Sequence, residues 1–139
     1  MVHLACLAYE IFGQDRLLEI ATGVGWNAWE SAHGPIDLCC GLAGRGYALL
    51  MLYRCTGDPC WLSRARHLAL SGAERATAQE SLEHPPYALY KGALGLVLLL
   101  ADLEEPGAAC MPVFGDEGWS RQAGGGPHLP ATAPGPPDA

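Results

Sequence analysis

"MLYRCTGDPCWLSRA", residues 51–65, places one punctuation mark between two apolar-periodic runs, and that mark decides the fold. Gly57 suits the left-handed position that ends a helix, Asp58 can cap the next helix, and Pro59 fits its first turn, where no N–H is needed. The stretch reads as helix, tight turn, helix. A copy lies upstream: "LAYEIFGQDRLLEIA", residues 7–21, matches at an offset of 44 that carries Tyr9 to Tyr53 and Gly13 to Gly57. The same offset carries Leu17, Leu18, Ala21, Val24, Gly25 and Ala28 to Trp61, Leu62, Ala65, Leu68, Ala69 and Gly72. These positions follow the three- and four-residue spacing of one helix face, so the repeating unit is a helical hairpin.

A third, partial copy begins in "YKGALGLVLLLADLEEP": Gly41, Gly44 and Leu49 recur as Gly92, Gly95 and Leu100 at an offset of 51, and "ESLEHPPYALY" supplies the longer loop. Helices are expected at residues 2–12, 15–30, 43–55, 59–77 and 93–104, with no convincing strand. The fold class is all-α, built of helical hairpins. The third and fifth helices are apolar nearly all round and predict burial on most sides, whereas the second and fourth carry a polar face with Glu19, Arg64, Arg66 and Glu74. That alternation predicts inner helices ringed by outer ones. Gly41/Gly44 and Gly92/Gly95 head the third and fifth helices, where their poor helix propensity points to tight turns or close backbone approach. Shifted back by 44, Gly44 falls immediately before Met1, so an equivalent head loop is expected upstream, and a repeat array needs neighbours on its end faces.

Composition narrows the function. Half the residues are apolar, enough for a core, but "GGGPHLPATAPGPPDA" has too few large apolar groups to offset the entropy of ordering it. Residues 1–118 are expected to form the helical unit and 119–139 a Pro/Gly-rich disordered tail. A net charge of −7 with a single lysine, Lys91, argues against nucleic-acid binding, which needs clustered cations. No run reaches the about 20 apolar residues that span a bilayer, and the N-terminus lacks a signal peptide's cationic start. No membrane association and a cytoplasmic location are expected, where the six cysteines stay reduced or hold metal.

Just ahead of the third helix, "DLCCGLAGRGYALL" sets Cys39 and Cys40 before a Gly-x-x-Gly turn. Taken alone, adjacent cysteines serve as buried filler, as a redox pair or as ligands of one metal, and the strain of a ring between neighbours disfavours the redox pair. Cys6, Cys55, Cys60 and Cys110 lack metal spacing and read as small apolar filler, with partial exposure expected for Cys60 beside Trp61. His33, in "SAHGPIDLCC", reads as a loop histidine near the cysteines, with a replacement ligand or proton donor as the sharper alternative. An α/α-toroid glycosidase would need two carboxylates facing one cleft, and the acids here fall mostly on outer helices or helix ends.

These features together resemble the lanthionine synthetase C-like cyclase family. "LCCGLAGRGYALLMLYRCTGDPCWL" is similar to the family's Leu-Cys-His-Gly-x-x-Gly helix head, "YALYKGALGLVLLLADLEEP" to its closing helix, and "ACMPVF" to its final segment. The likeness runs from about Leu4 to Phe114 and concerns the C-terminal part of the family. It implies an α/α toroid with a zinc ion among the inner-helix loops, where a thiol adds to dehydroalanine or dehydrobutyrine to form a thioether. The thiol belongs to a dehydrated precursor peptide or, in some relatives, to glutathione. By motif, Cys39 matches the family's cysteine ligand and Cys40 stands where most members have histidine. A third ligand would lie one repeat earlier, just before Met1 by the 44-residue offset. The chain is therefore expected to be incomplete as a cyclase without N-terminal repeats. The alternative is a noncatalytic helical module docking on another chain. The 51-residue offset also places Tyr90 and Lys91 where Cys39 and Cys40 stand, so Lys91 should reach the metal rim and attract a substrate carboxylate or stabilise enolate charge. The bland alternative for Lys91 is a solvated loop residue.

Overall fold

The structure, a computed structural model, describes residues 1–31, 34–78 and 87–112. Five α-helices follow in order among them: α1 Val2–Phe12, α2 Asp15–Glu30, α3 Leu42–Thr56, α4 Pro59–Thr77 and α5 Leu94–Asp102. The described residues contain no strand. The tail expected at 119–139, like His33, lies outside the described residues.

Both hairpin turns form as the repeat requires. Gly13 and Gly57 adopt left-handed conformations with φ of 64° and 72°, and each donates its N–H to the carbonyl of the matching tyrosine, Tyr9 or Tyr53. A side chain with a Cβ would be strained there, which is why glycine recurs. Asp58 then caps α4 by accepting the Cys60 N–H at 2.9 Å, and Pro59 occupies the first turn. The first hairpin uses Gln14 at the corresponding position, without a side-chain cap.

α3 is the hub, packing against all four other helices. Tyr47, Leu49, Leu50, Met51 and Leu52 are buried along it, and on α4 Trp61, Ala65, Leu68 and Ala69. These α4 residues belong to the repeated face read from the sequence. On the outer side, Arg64 of α4 lies over the Trp26 ring of α2 with Cζ 3.7 Å from the centroid, while Trp26 meets Trp61 edge-on at 5.4 Å. The segment after α5 is tied back to α3: Tyr47 donates its hydroxyl to Asp102 at 2.7 Å, and the Arg54 guanidinium donates to the Ala109 carbonyl.

Two expectations need correction. α5 stops at Asp102 rather than at residue 104, because the Glu104 N–H bonds to Ala101 three residues back and Pro106 cannot extend the helix. α5 is also buried on one side only, through Gly95, Leu96 and Leu99; Leu94 and Val97 face outward with no described helix over them. α1 likewise leaves Leu4, Ile11 and Phe12 exposed. No helix among the described residues is long and apolar enough to cross a membrane.

Candidate metal and thiol site

Residues 34–41 fold back over the N-terminus of α3. The first N–H groups of a helix have no partner within it, and here the loop supplies them. The Leu42 N–H bonds to the Pro35 carbonyl at 2.8 Å, Ala43 to Ile36 at 3.3 Å, and Gly44 to Asp37 at 3.3 Å. Such intimate backbone contact leaves no room for side chains at the two glycines. A Cβ on Gly41 would meet the Pro35 carbonyl and both N and O of Asp37; one on Gly44 would meet the Leu38 carbonyl. The Gly-x-x-Gly pattern is the imprint of this loop.

The loop's bends turn Cys39 and Cys40 outward, and both thiols are free and exposed. Buried filler is therefore the wrong description of this pair. Cys60 is exposed as well, further than the partial exposure expected beside Trp61, because it sits on the solvent side of the capped first turn of α4. Cys6 is buried, and burial, with the neighbouring Cys55 thiol second, pushes its thiol up to about 12.

Lys91 reaches this loop from the turn before α5. Its Nζ lies 3.7 Å from Cys40 Sγ and 3.8 Å from Asp37 Oδ2, as the 51-residue offset placed it. The Asp37 carboxylate first, then the Cys39 and Cys40 thiols, hold the Lys91 ammonium above its ordinary pKa. The two loops are joined through backbone too, since the Cys39 N–H donates to the Tyr90 carbonyl at 3.1 Å.

Asp37 was not singled out in the sequence, although an Asp three residues before a Cys-Gly turn is a familiar signal of side-chain-to-backbone bonding. It is buried, at 4% exposure. Its Oδ1 accepts the Cys40 and Gly41 N–H groups at 3.0 and 3.1 Å.

Beside the thiols opens a cavity of about 800 Å³ between α1, α2 and the head of α3, lined among others by His3, Leu7, Asn27, Leu38, Arg45 and Met111. Burial, then the N-terminal ammonium and Arg54, lowers the His3 pKa to about 4, so this wall carries a neutral imidazole at pH 7. No three His, Cys, Asp or Glu side chains among the described residues group as a complete metal site. Cys39 and Cys40 offer two soft, adjacent, accessible donors, a set that suits zinc as part of a larger ligand shell.

The described residues form repeated helical hairpins, with two exposed thiols heading a central helix beside a cavity. Residues 1–114 match the family model described as lanthionine synthetase C-like protein. The chain is 31% identical over 116 residues to the protein named glutathione S-transferase LANCL1 of Danio rerio, covering 82% of this chain and 29% of that one. It is 36% identical over 107 residues to LanC-like protein GCL1 of Arabidopsis thaliana, covering 71% of this chain and 24% of the relative. The chain belongs to the lanthionine synthetase C-like family, and it spans less than a third of the length of these relatives.

Proposed function

We propose that the chain contributes part of a zinc-dependent active site for thioether formation, with Cys39 and Cys40 as metal ligands. The observation that carries this reading is the pair of exposed thiols on the folded-back loop with the Lys91 ammonium 3.7 Å from one of them. Bound zinc would lower the pKa of an incoming thiol and present it as a thiolate. Thioether formation itself requires a thiolate to bond the β-carbon of a dehydroamino acid while the C=C electrons shift toward the carbonyl, and the resulting enolate to regain at its α-carbon the proton that the thiol gave up.

Lys91 supplies a cation at the rim where this negative charge develops, and its pairing with Asp37 keeps it protonated. The cavity beside the cysteines offers mostly apolar walls for the substrate. Because one relative is named a glutathione S-transferase, glutathione joins a peptide cysteine as a candidate thiol. A reducing, cytoplasmic setting suits free thiols at the site. The ligands that complete the zinc shell come from outside the described residues. Exposed Leu4, Ile11 and Phe12 favour a second reading, a noncatalytic helical module that acts through contact with another chain.

Zinc stoichiometry separates the two readings. The catalytic reading expects one zinc per full-length protein, lost in Cys39→Ser and in Cys40→Ser, and thioether product from a dehydroalanine peptide. Absence of zinc binding by the wild-type protein would overturn it in favour of the module.

A further inference from the structure

The geometry points to Asp37 as the positioning residue of this site, one carboxylate that fixes the backbone of Cys40 through Oδ1 and aims Lys91 at the Cys40 thiol through Oδ2. The inference rests on Cys39 and Cys40 being the zinc ligands proposed above.

Asp37 is the only buried charged residue among those described, and its carboxylate meets both this loop and Lys91. Oδ1 takes two successive N–H groups, Cys40 and Gly41, which fixes the peptide plane from which the Cys40 side chain departs. Oδ2 faces Lys91 Nζ at 3.8 Å, and the same Nζ is 3.7 Å from Cys40 Sγ. Asp37, Lys91 and Cys40 thus form a closed triangle, two of whose sides come from one carboxyl group. The Asp37 carbonyl adds a third link by accepting the Gly44 N–H. Substituting the side chain removes the anchors of a ligand's backbone and of the nearest cation together, while that carbonyl link to α3 remains.

The partners that orient metal ligands usually matter to affinity by about 10–100-fold. Asp37→Ala is expected to weaken zinc binding by that factor in the full-length protein, measured by competition with a chromophoric chelator. Asp37→Asn keeps an oxygen for the N–H groups but drops the charge facing Lys91, and is expected to weaken binding by about 3–10-fold, less than the full effect. Leu68→Val trims a buried α4 side chain on the repeated face and serves as the control for lowered stability alone. Its zinc affinity should stay within about two-fold of wild type. If wild type binds zinc and both Asp37 variants match it within two-fold, the positioning role is wrong and the zinc reading stands. If wild type binds no zinc, both fall together. Should Asp37→Ala fail to fold, the Asp37→Asn affinity decides alone.

Discussion

Gly41→Ala adds one methyl group at a position whose backbone, with φ of −88° and ψ of −165°, any residue can adopt. Any cost is therefore steric. The new Cβ would lie 2.5 Å from Asp37 N and 2.7 Å from Asp37 O, and closer still to the Pro35 carbonyl. All three are backbone atoms, which cannot swing aside as a side chain can, so the loop must lift from α3. Lifting it stretches the bonds that Leu42, Cys40 and Gly41 donate to Pro35 and Asp37. Each such bond contributes about 1 kcal/mol net, and a buried N–H left unpaired costs about 1–3 kcal/mol. Against this, alanine restricts the unfolded chain and returns about 0.4–1 kcal/mol. The balance is a loss of about 2 kcal/mol, or a Tm lower by about 8 °C at the usual slope for a chain of this size. Gly23→Ala is the matched comparison: it lies in the exposed face of α2 with nothing within 4 Å of its Cβ. That variant should gain about 0.5–1 kcal/mol from helix propensity. Urea denaturation with helicity as the signal reads both. Equal stability of Gly41→Ala and wild type, or a destabilised Gly23→Ala, would refute the account of the glycine pattern.

Two further outcomes are expected. Brief alkylation of the native, metal-free protein, followed by peptide mass spectrometry, should modify Cys60 and leave Cys6 unmodified until denaturant is added, because Cys6 is buried with its thiol pushed up to about 12; equal labelling of the two would contradict the burial. Stability should also fall as pH drops from 6.5 toward 4, since the unfolded chain binds a proton at His3 that the folded chain, with a pKa of about 4, refuses. The loss saturates below pH 4 at no more than about 3 kcal/mol. His3→Gln should flatten that part of the pH–stability curve, and an unchanged slope would show that His3 is not the group responsible.

The hairpins were legible because their signals are local. Gly57, Asp58 and Pro59 each act within one turn of chain, and the 44-residue offset repeats Tyr and Gly at both turns. The position of Lys91 was legible for a similar reason, since the glycine turns fixed its register against Cys40. Asp37 escaped because its value depends on which N–H groups its carboxylate meets after the loop folds back, a contact that residue spacing alone does not specify. The outward faces of α1 and α5 were harder still. A helix that is apolar all round reads as enclosed, and the sequence carries no mark of which helices stand beside it.

The folded-back loop has one consequence for the electrostatics of the rim. A helix normally presents a partial positive charge and open donors at its start, a natural resting place for phosphates and carboxylates. At α3 the carbonyls of Pro35, Ile36 and Asp37 already occupy those donors, so the helix start is closed to anions. On the thioether-forming reading proposed above, a negatively charged substrate approaching Cys39 and Cys40 would have to be steered by side-chain charge. If that reading holds, exchanging Lys91 for a neutral residue would change which substrates the rim attracts, without help or interference from the helix beneath it.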